Sequence, residues 1–392
     1  MSLLRTLHSL LVAPLSRAFS AMLAYSVDDA SARLDAAVAR ASRKQVRSAV
    51  LWVQSPRLGF DRGFAHGIAQ VETGTPMTVE TPFLSASVGK LVVAAAVLRL
   101  AQDGRLSLDD PMTRWISPDM LAGLPVTGGD AALPAITIAM LLGHRSGLPD
   151  YFSDPSCDGA PRLFDLLASD PTRRWNRADL LDYARAHYKP VGAPGQRFHY
   201  ADTNYDLLGL VLEGVTGTSF VAAVRALVLD PLELTHTWYH AFEQPPAGQP
   251  GVADVWVNGT NLWGAPCLSA DQAGGGLVTT VADLRSLLRG LVEGRPVSLA
   301  AMATDFTLDA MHSGIDVGQP AWRIRPRGIF FALAGLPTLL GHSGATGVWA
   351  YYVEDWDAVI VGAVSDASWQ ERHIRFLLAD VLPVLARMRS DV

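Results

Sequence analysis

The eight residues Leu91–Leu98 carry no polar side chain, and they follow directly on Ser87-Val88-Gly89-Lys90. A helix over this run is apolar on every side as far as Arg99, so it has no face to give to water and belongs at the centre of its fold. The stretch predicts a buried helix that stops at Asp103-Gly104. Lys90 falls in its first turn, where a buried ammonium needs either a partner or a lowered pKa.

Ser87 and Lys90 are three residues apart, the spacing that brings two side chains onto one helix face. Ser87 stands at the start of the helix, where free N–H groups and the positive dipole end favour developing negative charge. A serine beside a neutral, desolvated lysine is an activated nucleophile. Arginine cannot take that part because it does not deprotonate in proteins. Only three of the 32 basic Lys and Arg residues are lysines (Lys44, Lys90, Lys189), and one is kept here. The same pattern also suits a serine cap followed by a solvated lysine.

Other segments have clear local signals. Asp29–Arg43 reads as a helix capped by Asp28 or Asp29. Ala49–Val53 and Gly63–Ile68 read as strands joined by a turn near Pro56. From residue 104 to about 270 the chain reads as short helices and long loops, with helices over Ala178–Ala186 and Tyr205–Glu213. Thr280 caps a helix running to about Leu291. Gly347–Val353 and Ala358–Val364 read as an antiparallel hairpin, and a last helix over Glu371–Leu382 meets Pro383, which should kink or end it. This order predicts an α/β fold: an antiparallel sheet flanked by helices, assembled from 27–80 and 271–392, with a mainly helical domain, 81–270, inserted. Residues 1–26 form a separate N-terminal segment, either a signal peptide or an amphipathic helix, and the charged and polar residues within it favour a cytoplasmic over an exported location.

Two more segments carry candidate chemistry. Tyr200, in Phe198-His199-Tyr200-Ala201-Asp202-Thr203, ends a loop ahead of an apolar helix. It is either a proton shuttle or a packing residue beside a helix capped by Asp202 or Thr203. Gly341-His342-Ser343-Gly344-Ala345-Thr346-Gly347 precedes the hairpin and lets a substrate come close to the backbone, or is a simple glycine-rich turn. It also approximates the G-x-S-x-G nucleophile elbow, with Asp366 and His373 following in order, but an elbow needs a helix after the serine and a hairpin follows here. The tripeptide recurs at His312-Ser313-Gly314 without a strand behind it.

Ser87-Val88-Gly89-Lys90, Tyr200-Ala201-Asp202 and His342-Ser343-Gly344 stand in the order of the three motifs of the serine β-lactamase and penicillin-binding protein superfamily, which the chain resembles. The likeness is greatest to the class C branch, with its esterases, D-amino-acid peptidases and D-Ala-D-Ala carboxypeptidases. It extends to Ile138–Leu148, Asn204–Gly209 and Ala273–Leu277, and covers about residues 27 to 385. The resemblance implies a β-lactamase/transpeptidase-like fold and a serine hydrolase that cleaves an ester or amide through an acyl-enzyme on Ser87. Lys90 and Tyr200 would share the proton transfers. The N–H groups of Ser87 and Ala345 would form the oxyanion hole, and Asp202, His342, Ser343 and Gly344 would bind substrate. Two positions depart from the lactamase pattern: Asp202 replaces an asparagine, and His342 replaces the lysine that helps hold the substrate carboxylate. Both favour an esterase or D-amino-acid peptidase over a true class C β-lactamase. A penicillin-binding or sensor protein that acylates without turnover, and a non-catalytic interaction protein, are the other classes considered.

Composition narrows the partners. The net charge is −6 and no long basic run occurs, which excludes nucleic acid. Cys157 and Cys267 make neither a disulfide framework nor a metal site, and no run of 18 uncharged apolar residues predicts a transmembrane helix. The expected partner is a small ester or peptide substrate, with no cofactor or metal, and the oligomeric state is left open.

Overall fold

A computed structural model of the chain describes residues 24–43, 46–311, 314–326 and 336–388. The N-terminal segment expected over 1–26 lies outside them except for residues 24–26, as do His312 and Ser313.

The first helix, α1, is Val27–Ala41. Its cap is Ser26 rather than Asp28 or Asp29. Ser26 Oγ accepts from the Asp29 N–H and Asp29 Oδ2 accepts from the Ser26 N–H, both at 3.1 Å. Asp29 therefore serves from the third helical position, as the return half of a capping box. β1 (Ser48–Ser55) and β2 (Phe60–Gln70) form the first hairpin. The turn is closed by a Gly59 N–H to Pro56 O bond of 3.1 Å. Gly59 sits at φ +60°, where a side chain is strained. β3 is the short Thr75–Pro76.

The apolar run becomes α2, Lys90–Gln102, and Leu91 through Val97 are all 0% exposed. A fully buried valine or leucine contributes about 1.5–3 kcal/mol, so this helix is a large part of the core. The helices expected in the middle of the chain are α3, Arg177–His187, and α4, Asp202–Thr216. α5, Val281–Val292, is capped by Thr280 as expected. The remaining long strands are β4 (Ile315–Val317), β5 (Trp322–Ile324), β6 (Leu339–Gly344), β7 (Val348–Val353) and β8 (Ala358–Ala363).

These strands form one eight-stranded sheet, ordered β3-β2-β1-β8-β7-β6-β5-β4, with every neighbouring pair antiparallel. Alternation along the strands sends Leu51, Val53, Trp349, Tyr351 and Ile360 to one face, under α1 and the C-terminal helices. It sends Val50, Val348, Ala350, Val359 and Val361 to the other, against α2. The C-terminal helix is not continuous to Leu382. It runs as α6 (Arg372–Phe376), widens into a π-helical turn at Leu377–Val381, and resumes as α7 (Leu382–Leu385). Pro383 has no N–H to return to the preceding turn, and the ladder shifts to the wider spacing ahead of it. Among the described residues no single helix is long and apolar enough to cross a membrane.

A second, three-stranded sheet pairs Phe83–Leu84 and Trp238–Tyr239 with Leu277–Thr279. Its role is positional. The Ser85 N–H donates to Leu277 O at 2.7 Å, which ties the segment entering Ser87 to the glycine run at 274–276.

Candidate active site

Ser87 does not lie in the first turn of the α-helix. It lies in a 3₁₀ turn, Ala86–Gly89, which leads into α2. In 3₁₀ geometry side chains three apart eclipse, and Lys90 Nζ donates to Ser87 Oγ at 3.1 Å. Ala86 is held at φ +44°, a conformation that costs an alanine about 1–2 kcal/mol. Two glycines clamp it there. A Cβ on Gly344 would stand 2.8 Å from both Ala86 Cβ and Ser85 O, and 3.2 Å from Ser87 N. A Cβ on Gly275 would stand 2.7 Å from the Ala86 carbonyl carbon. Strand β6 and the glycine run therefore approach the Ser87 turn backbone to backbone, and neither position admits a side chain.

Lys90 is 0% exposed and all three of its donors have acceptors. They are Ser87 Oγ, the Gly274 carbonyl at 3.0 Å, and the Asp202 carboxylate. Burial pushes the lysine pKa down, but the Asp202 carboxylate, with smaller contributions from Tyr200 and Asp271, outweighs it and holds the value above the ordinary range. Lys90 is thus cationic at rest. Of the two options for a buried ammonium, a partner or a lowered pKa, it is the partner that is found, in the Asp202 carboxylate.

Asp202 is free for Lys90 because it does not cap α4. The cap position is Ala201, without a side-chain bond, and Asp202 is the first helical residue. Its N–H donates to Asp150 Oδ1 at 3.0 Å, and Thr203 Oγ1 donates to Pro149 O at 2.6 Å. Asp150 thus takes the first N–H of the helix, and neither Asp202 nor Thr203 is its cap. Tyr200 stacks on His144, ring centres 4.2 Å apart, and Lys90 Nζ stands 5.3 Å from the Tyr200 ring centre. Burial raises the Tyr200 pKa and the Lys90 charge lowers it, leaving it pushed up to about 12. The tyrosine is neutral at rest. His144, at φ +54°, accepts the Ala201 N–H on Nδ1 at 3.1 Å and so aligns the segment carrying Tyr200 and Asp202.

On the facing wall, β6 brings Ser343, Gly344 and, just beyond it, Ala345 to the cavity. His342 is fully buried behind them, its ring 4.6 Å from Trp322 and its Nδ1 2.7 Å from Ser343 O. Burial first, then the Lys90 charge, press its pKa down to about 3. It offers no positive charge to a substrate. The elbow reading fails on geometry. Ser343 pairs with Trp349 inside the sheet, Asp366 Oδ1 accepts the Ser368 N–H at 2.9 Å, and His373 lies buried with Nδ1 3.1 Å from Trp369 O.

Ser87, Tyr200, Asp202, Ser343, Gly344 and Ala345 line one cavity of about 630 Å³. Aromatic and aliphatic side chains such as Phe152, Phe164 and Trp322 form much of the rest. Three participants carried no signal as site residues in the sequence: Asp150, Asp271 and the Gly274 carbonyl. A carboxylate in a loop looks like any solvated turn residue, and a backbone acceptor has no letter of its own. Burial, then repulsion by Asp202, raises Asp150 and Asp271 to about 7 each.

A family model described as Beta-lactamase matches residues 23–381. Esterase EstB of Burkholderia gladioli is 37% identical over 220 residues, 53% of this chain and 52% of EstB. Protein flp of Staphylococcus aureus (strain N315) is 30% identical over 190 residues, 48% of this chain and 34% of flp. The matched region thus spans about half the length of EstB and a third of flp. In fold, the chain is similar to the D-amino acid amidase of Ochrobactrum anthropi SV3 complexed with D-phenylalanine. The TM-score is 0.72 at 22% identity, covering 92% of this chain and 98% of the amidase.

Proposed function

Because the chain belongs to the Beta-lactamase family, we propose that it is a serine hydrolase that cleaves esters, or amides of the D-amino-acid type, through an acyl-enzyme on Ser87. The observation that carries this is the contact of 3.1 Å between the Oγ of Ser87, which lines the cavity, and the fully buried Lys90. The similarity to EstB and to D-amino acid amidase supports the same reaction class.

Ser87 Oγ bonds to the substrate carbonyl carbon, its proton passes into the Lys90–Tyr200 pair, and the pair returns a proton to the leaving alcohol or amine. Water then cleaves the acyl-enzyme by the same steps in reverse. The N–H groups of Ser87 and Ala345 hold the oxyanion, each such donor contributing about 2.7–4 kcal/mol. The resting pair, cationic Lys90 with neutral Tyr200, must lose one proton before it can accept another. The two titrate as one coupled set, so the limb belongs to the pair.

A pH dependence follows. With both pKa values raised, the competent form grows as pH rises, and kcat/KM for a neutral ester should climb about tenfold per pH unit below the limb. Asp202→Asn removes the charge that holds the proton on Lys90 while burial still presses its pKa down, so the limb should move to lower pH. Initial rates across the alkaline range, in both proteins, test this. A limb at the same pH in Asp202→Asn rejects the role given to the carboxylate.

Substrate charge is the second test. His342 is neutral and buried, and the cations at or beside the cavity, Lys90 and Arg162, are already paired with Asp202 and Asp165, so the wall that carries the third motif offers a penicillin carboxylate no charge. Purified protein assayed against short-chain p-nitrophenyl esters, nitrocefin and D-amino-acid amides should hydrolyse the best ester at least about tenfold faster than nitrocefin in kcat/KM, about 1.4 kcal/mol in transition-state binding. Nitrocefin turnover equal to the best ester would move the assignment to a true β-lactamase.

A further inference from the structure

The carboxylates of the cavity are mostly committed. Asp202 pairs with Lys90, Asp154 with His199 at 2.7 Å, and Asp165 with Arg162 at 2.8 Å. Asp150 accepts the Asp202 N–H and the Ser153 hydroxyl. Asp271 differs. Among the described residues its carboxylate makes no hydrogen bond and no ion pair, although it lines the same cavity as Ser87.

Its position is close to the reacting centre. Asp271 Oδ1 would be 2.5 Å from a Cβ on Gly275, and that same point is 2.7 Å from the carbonyl carbon of Ala86, the residue before Ser87. The neighbouring Gly274 faces Asp202 and Lys90 in the same way, a Cβ there being 2.7 Å from Asp202 Oδ1 and 3.3 Å from Lys90 Nζ. One peptide unit thus carries Asp271 on one side and the Lys90–Asp202 pair on the other. A second group on the opposite wall is also without a partner. Thr346, 6% exposed, lines the cavity with an unbonded Oγ1. A carboxylate and a hydroxyl left open on two walls of a cavity whose other carboxylates are mostly paired are the marks of a site that binds a polar, cationic group. The raised pKa of Asp271 agrees: burial and then repulsion by Asp202 outweigh the attraction of Lys90, which is itself taken up by Asp202, and a bound cation relieves both.

We propose that Asp271 is a specificity-determining residue of this site, and that its carboxylate receives an ammonium group carried on the acyl part of the substrate next to the scissile carbonyl. This rests on the acyl-enzyme reading given above and narrows it to esters and amides of amino acids with a free amine. Asp202, saturated by Lys90, does not supply that charge. Thr346 Oγ1 is placed to accept from the same ammonium or to donate to a neighbouring oxygen.

The test compares alanine methyl ester, both enantiomers, with methyl isobutyrate, which puts a methyl in place of the ammonium. Each kcat/KM is divided by the rate of hydrolysis by hydroxide, to remove intrinsic reactivity. The wild-type protein should prefer an alanine ester at least about tenfold, and Asp271→Asn should bring that ratio close to one. Taking a ratio within each protein cancels any general loss of activity. Fluorophosphonate labelling of Ser87 shows that the variant site is intact, and Asp271→Ser serves as a second variant. A wild-type ratio near or below one overturns the proposal without any variant, and so does a preference that persists in Asp271→Asn. If Ser87 is labelled and methyl isobutyrate is hydrolysed without any ammonium preference, only this inference falls. If neither ester is hydrolysed and Ser87 is unlabelled, the acyl-enzyme reading falls with it.

Discussion

Replacing Ser87 with alanine should abolish covalent labelling by a fluorophosphonate probe and lower kcat for the best ester by about 10⁴-fold or more, since a nucleophile and its base act as a unit. The fold should survive the change. Lys90 keeps the Gly274 carbonyl and the Asp202 carboxylate as acceptors, and the clamp on Ala86 is made by Gly275 and Gly344 rather than by the serine side chain. Ser343→Ala is the matched control. Ser343 sits inside β6, paired with Trp349, and its removal should leave labelling in place. Probe incorporation read by intact-protein mass would show one adduct in wild type and Ser343→Ala, and none in Ser87→Ala. Labelling that survives in Ser87→Ala would sink the assignment.

Lys90→Arg should be almost as damaging as Lys90→Ala, with a loss of about 10³-fold or more in kcat/KM. Two physical reasons act together. A guanidinium does not release its proton, so it cannot take part in the transfer from Ser87. It is also planar and larger than an ammonium, while the lysine head is enclosed by Ser87 Oγ, the Gly274 carbonyl and Asp202. Lys90→Ala has a separate stability effect. It leaves the Asp202 carboxylate, 15% exposed, without its cation. Removing one partner of a buried pair costs about 3–5 kcal/mol, and thermal unfolding should show it as a lowered midpoint. Lys90→Arg keeps a cation and should unfold closer to wild type while remaining inactive. An arginine variant that retained most activity would show that Lys90 serves as a fixed charge rather than a proton carrier.

Much of the architecture was legible before any coordinates. α2 could be placed at the centre because an uninterrupted apolar run has no alternative, and the β7–β8 hairpin because two β-branched and aromatic runs flank a short polar turn. The Ser87–Lys90 pair could be read from spacing alone, since contact between residues three apart depends only on the local helix. Where one letter has two competing local uses, the sequence leaves the choice open. Ser26 took the cap that Asp28 or Asp29 could equally have held, because a reciprocal box satisfies two N–H groups where a lone aspartate satisfies one. Asp202 has the letter of a cap and is not one, because the helix begins at Asp202 itself and its carboxylate is taken by Lys90.

The charge state of the site was decided elsewhere in the chain. Whether Lys90 is neutral or cationic depends on a carboxylate 112 residues away and a carbonyl 184 residues away, both delivered by packing. His342 could be identified as a departure from the lactamase pattern, but not that it would be buried beside Trp322 behind the cavity wall. Sequence by itself determined most of the elements and the Ser87–Lys90 contact, because helical spacing, apolar runs and turn chemistry act over a few residues. Tertiary structure decided the protonation of that pair, the sign of the cavity and the open carboxylate of Asp271. Desolvation and Coulomb interaction sum over every group brought near, and no local pattern records which groups those will be.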